Sequence, residues 1–172
     1  SLYTLHFGSF GGLFVKLAYG VLGVLLCVVV ASGINIWLLK RRQRGRAVPV
    51  LERCWRATLW GTPMVMALVL ALAILGVAAL GVLVAVFWLS LVALLIIAAI
   101  QQDFSAAWLR TATGLLLLVT VVVHLLRNID AFTSPAAFGV SVSFTLLAAW
   151  FLRDGWREWR RSAPLEVSDS KA

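Results

Sequence analysis

The scarcest candidates for chemistry are two histidines, His6 and His124, in a chain that is 62% hydrophobic and only 13% charged. His6 stands just ahead of the first long apolar run, and His124 closes the fourth. Two neutral imidazoles carried by different helices are the axial pair that a low-spin b-type haem requires. An ionisable group at the end of an apolar span is a functional candidate by default. The plainer alternative is an interfacial histidine that hydrogen-bonds water or lipid headgroups, and both readings stand at this stage. Lys16 and Arg127 fall near the same membrane face. They are candidates to neutralise haem propionates, or to snorkel to phosphate headgroups.

Helix geometry limits the histidine pair. A straight helix from His6 to Leu39 puts His6 about 15 Å beyond the turn at Lys16, whereas His124 stands about 20 Å along its helix from Arg110. Sharing one haem requires the Gly8 to Gly12 segment to fold back, or each histidine to find its second ligand elsewhere. Other chemistries lack their residues. No phosphate-binding glycine loop, no paired carboxylates within the apolar runs and no Cys/His metal spacing occur. Cys27 lies inside an apolar run and Cys54 in a basic loop expected to face a reducing compartment, so no disulfide is expected. The lack of intramembrane acids argues against a proton-coupled transporter.

The elements that must position these groups follow from composition. Soluble domains are nearer half apolar and a quarter charged, so this chain requires lipid as its solvent. The formal charge of +8 does not imply nucleic acid, because most basic residues sit in two blocks, Lys40 to Arg56 and Arg153 to Arg161, each following an apolar run. That is the distribution of the positive-inside rule.

A span needs about 20 apolar residues. The first is expected at 17–39, after a lead-in at 1–16 and before a basic cytoplasmic loop at 40–61. The apolar stretch from Leu59 to Ile100 would be roughly 60 Å long as one helix, twice a bilayer core. It is therefore expected to be two spans, 62–79 and 83–100, broken between Gly76 and Gly81, with Pro63 in the first turn of the second helix. Further spans are expected at 109–126 and 136–152, the last preceded by the turn Thr133-Ser134-Pro135, with a tail at 153–172. The expected fold is an all-α, polytopic transmembrane helical bundle of about five spans. With Lys40 to Arg56 inside, alternation puts the C-terminus in the cytoplasm and both histidines outside. Gly8, Gly11, Gly12, Gly20, Gly23 and Gly33 would allow close helix packing, and Ser32, Asn35 and Thr120 could bridge helices.

The first segment then becomes recognisable. Leu5-His6-Phe7-Gly8, Gly11-Gly12 and the close Ser32-Gly33-Ile34-Asn35-Ile36-Trp37-Leu38-Leu39-Lys40-Arg41-Arg42 resemble the PepSY-associated transmembrane proteins, as does Trp60-Gly61-Thr62-Pro63. The resemblance covers about residues 5 to 65. It implies a multi-pass protein of the bacterial inner membrane, similar to siderophore-iron reductases that carry electrons through haem b. His6 matches the family histidine, whereas His124 rests on topology alone. The family's earlier span and periplasmic PepSY region are not in this sequence. The chain starts at Ser1, and is expected to be processed or to be the C-terminal membrane part of a longer protein.

Two functions are therefore expected. The first is a haem-binding transmembrane module of a periplasmic ferric-reductase or electron-transfer system, with His6 and His124 as iron ligands. The second is a non-catalytic inner-membrane subunit or anchor that binds no cofactor. Expected partners are the lipid bilayer and either a partner membrane chain or a PepSY region ahead of Ser1.

Overall fold

The computed structural model describes residues 12–127 and 135–162. Five helices follow in order: α1 (Gly12–Gln43), α2 (Pro49–Ile74), α3 (Leu80–Ile100), α4 (Ala107–Arg127) and α5 (Pro135–Ser162). Among the described residues all five are long and apolar enough to cross a membrane. The protein is all-α and polytopic with about five spans, as its composition requires. The turn expected at Thr133-Ser134-Pro135 falls largely outside the described residues. The chain divides into two compact units, Ser1–Pro49 and Val50–Ala172.

The first unit is dominated by α1, whose 32 residues make it about 48 Å long. Side chains from Val21 to Val29 are more than half exposed wherever they are large and apolar. The helix ends where Gly45 takes φ +68°. Its N–H donates to the Arg42 carbonyl at 3.0 Å and that of Arg46 to Arg41 at 3.0 Å. This paired closure satisfies carbonyls that the last helical turn leaves open, and it needs a left-handed residue that glycine supplies without a Cβ clash.

In the second unit α2 begins well before the apolar run. Pro49 suits the first helical position, where a missing N–H costs nothing, and Glu52 in the first turn complements the helix dipole. Pro63 consequently sits inside the helix, not in its first turn. Near it, Thr58 and Thr62 turn their hydroxyls back onto the carbonyls of Cys54 and Thr58, at 2.9 and 2.8 Å. The hairpin to α3 breaks at Gly76, φ +107°, with Gly76 donating to Ala73 and Val77 to Leu72 at 3.1 and 3.0 Å. Gly81 lies within α3. Of the two glycines, the one in the left-handed region makes the turn.

Two apolar clusters hold this unit together. One joins α2, α3 and the start of α4 through Ala57, Val65, Leu94, Ala98 and Leu109, with Phe104 from the connection filling it. The other joins α2, α4 and α5 through Ala67, Leu117, Ala148 and Phe151. Helices α4 and α5 approach most closely at two glycines. A Cβ on Gly114 would stand 2.6 Å from Leu152 Cγ, and one on Gly155 would stand 2.6 Å from Thr111 Oγ1 and 3.1 Å from the Ala107 carbonyl. In lipid, association depends on packing of this kind because apolar burial drives little. A Cβ at Gly20, Gly23 or Gly33 would meet nothing within 4 Å among the described residues. Thr120, expected to bridge helices, donates to Leu116 on its own helix at 2.7 Å.

Candidate functional site: a charged centre and two arginine caps

Polar chemistry in the second unit concentrates where helix ends meet. Arg53, on the second turn of α2, donates from Nε to the Ala98 carbonyl at 2.9 Å and from Nη2 to Ala99 at 3.1 Å. Those carbonyls belong to the last turn of α3, which lacks partners within its own helix. The forked guanidinium satisfies two at once, and its charge opposes the negative end of the helix dipole. At the other end of the unit, Arg127 Nη1 donates to the Ile74 carbonyl at 2.6 Å. Arg127 thus closes the C-terminus of α2 from the last residue of α4.

The densest site surrounds Arg110, in the first turn of α4. Its Nη1 lies 3.0 Å from Asp154 Oδ2 and forms a second ion pair with Glu158 Oε2. Asp154 and Glu158 are four residues apart on α5, so both face α4. The guanidinium also rests 3.8 Å from the ring centroid of Trp60 on α2, close enough for a cation–π attraction. Trp60 in turn meets Phe151 edge-on at 6.3 Å and Trp150 at 6.4 Å. Three helices therefore converge on one cation. The Arg110 side chain is 15% exposed, against 38% for Asp154 and 29% for Glu158. Its Nε is buried with no hydrogen-bond partner among the described residues.

This centre was hidden in the sequence by its surroundings. The Arg153 to Arg161 block reads as a solvated basic tail, yet α5 continues through it to Ser162. Its helical period sorts the charges. Asp154 and Glu158 turn inward, while Arg153, Arg157, Arg160 and Arg161 are exposed. The signal that could have found the pair is the four-residue spacing of two acids on the face carrying Gly155 and Phe151.

Of the four sequence-derived site residues, Lys16, His124 and Arg127 are among the described residues. His6 lies outside the described residues. His124 is half-buried near the end of α4, and Lys16 is exposed on α1. The expectation of haem b is corrected. No three His, Cys, Asp or Glu side chains come together as a metal site among the described residues. His124 is the one histidine among them. The grooves beside α3 and α4 are lined by apolar, tryptophan and threonine side chains with no histidine. An axial imidazole pair facing a haem-sized cavity is the minimum such a site needs, and the described residues do not supply it. Arg127, the fourth of these residues, makes the hydrogen bond to the Ile74 carbonyl given above.

Residues 1–40 match the PepSY-associated TM region family. A PepSY-associated membrane module is present there. The match ends before Trp60-Gly61-Thr62-Pro63 and carries no likeness to siderophore-iron reductases. Comparison with curated proteins gave no match, and comparison with solved structures gave none. Of the matched residues, 12–40 form most of α1.

Proposed function

We propose that the chain is a non-catalytic membrane anchor of PepSY-associated type, packing against partner membrane proteins without a cofactor. The observation that carries this reading is where the strongest polar groups go. Arg53, Arg110 and Arg127 reach carbonyls and carboxylates of neighbouring helices, so they join helices and do not converge on a cavity. The family match supplies the second support, since it falls on α1. That helix carries Gly20 and Gly23, small residues of the kind that lets a partner helix come close.

On this reading the protein lies in the bacterial inner membrane with both arginine blocks in the cytoplasm. Within the second unit, the Arg53 end of α2 and the C-terminal end of α5 lie on the same side through the antiparallel order of the helices, as the positive-inside rule requires. The test places a photo-crosslinking residue at Gly20 or Gly23 in cells expressing the full chain. A discrete adduct with one membrane protein is expected, with none from exposed control positions such as Arg157. Lipid adducts alone, or a Soret band in protein purified from haem-sufficient cells, would refute the anchor.

A further inference from the structure

A groove of about 530 Å³ runs between α4 and α5 at the end where Arg110 meets Glu158. Its floor is Ala107, Thr111 and Ala112, and its walls include Trp108, Trp156 and Trp159. The floor offers no free donor at its one hydroxyl, because Thr111 Oγ1 donates to the Ala107 carbonyl at 3.0 Å. The surface inside is therefore apolar. The rim is not. Arg160 holds its guanidinium 5.1 Å from the Trp156 ring centroid, and Trp156 stacks on Trp159 at 5.6 Å and 25°. Arg153, Arg157 and Arg161 add exposed positive charge on the same terminal turns.

We infer that this groove binds one anionic phospholipid, with an acyl chain along the floor and the phosphate at Arg160. Three observations favour that occupant. The groove lies between two helices that are each long and apolar enough to cross a membrane, so an acyl chain beside them would enter it without passing through water. Tryptophans at a span's end mark the headgroup layer, which sets the apolar floor at acyl depth and the arginine at phosphate depth. The volume falls within the ~300–1,000 Å³ typical of small-ligand sites. Charge complementarity selects an anionic headgroup over a zwitterionic one. The inference is independent of the anchor proposal and of which side of the membrane this end faces.

The test reconstitutes the full chain in nanodiscs holding equal phosphatidylglycerol and phosphatidylcholine, then counts retained lipids by native mass spectrometry. Wild type should keep one phosphatidylglycerol per chain in preference to phosphatidylcholine by at least fivefold. Ala112→Phe, which fills the floor, should lower that retention about tenfold. Arg160→Gln should reduce the headgroup preference at least threefold while the chain stays monodisperse. Equal retention of the two lipids by wild type would overturn the proposal, as would undiminished retention by a monodisperse Ala112→Phe. If Ala112→Phe does not yield folded protein, Arg160→Gln decides alone, and an unchanged preference overturns the site. Dimer peaks abolished by either substitution would show that a second copy occupies the groove, which also overturns it.

Discussion

Replacing Arg110 by methionine keeps most of the side chain's apolar volume and removes its charge, leaving Asp154 and Glu158 four residues apart with no cation between them. Coulomb's law at 3.0 Å gives about 5 kcal/mol for one such pair at an effective dielectric constant near 20. That figure is reduced by the desolvation both partners already bear. Asp154, 38% exposed, belongs nearer the surface regime of about 0.5–1 kcal/mol. The better-buried Arg110–Glu158 pair falls closer to the ~3–5 kcal/mol measured when one partner of a buried pair is removed. Loss of the Trp60 contact adds about 0.5–1 kcal/mol. Taken at their lower ends these contributions give an expected net loss of about 4 kcal/mol, roughly 900-fold in the folding equilibrium.

The assay is unfolding in mixed micelles of mild detergent and dodecyl sulfate, followed by helical circular dichroism. The triple substitution Arg110→Met, Asp154→Asn, Glu158→Gln should recover at least half of the loss, because no uncompensated charge remains. A buried ion pair is weak evidence of stability when it is replaced whole, and Arg110 already buries an Nε without a hydrogen-bond partner among the described residues. Arg110→Met costing under about 0.5 kcal/mol, or a triple variant no more stable than the single one, would refute this account of the centre.

Gly155→Ala, whose Cβ would meet the Ala107 carbonyl at 3.1 Å, should cost about 1–3 kcal/mol by overpacking. Gly23→Ala, with nothing within 4 Å, should change stability by less than about 0.5 kcal/mol in the same micelle assay. Similar losses at both positions would show that the close approach of α4 and α5 is not what the glycines serve. Arg53→Gln should cost about 1–3 kcal/mol, the range for hydrogen bonds made by a charged donor, and should raise amide exchange in the last turn of α3. Exchange unchanged there would remove the capping role.

The number of spans was legible in the sequence because it depends on local composition. Any run of about 20 apolar residues has few alternatives to a helix in lipid, where each backbone group must be satisfied within its own segment. The need for a hairpin within Leu59 to Ile100 was legible for the same reason of length. Its location was not, since Gly76 and Gly81 look equivalent until one of them takes a positive φ. Helix ends were also underestimated at Pro49 and Ser162, because polar residues continue a helix when a neighbouring helix offers them partners.

The same limit explains the site. Histidines stood out by their rarity, but rarity is a property of the chain and proximity a property of the fold. His124 stands out in the sequence by its residue type, whereas Arg110 becomes a site only when α5 brings Asp154 and Glu158 to it and α2 supplies Trp60. Within an arginine-rich block the two acids are outnumbered in sequence and segregated in space. The sequence by itself determined a polytopic helical protein with a PepSY-associated first segment and two basic blocks. Only the tertiary structure decided which charges face inward, because that depends on the rotational phase of α5 against α4. That phase is held by Gly114 and Gly155, where one backbone comes close enough to the other to exclude a Cβ.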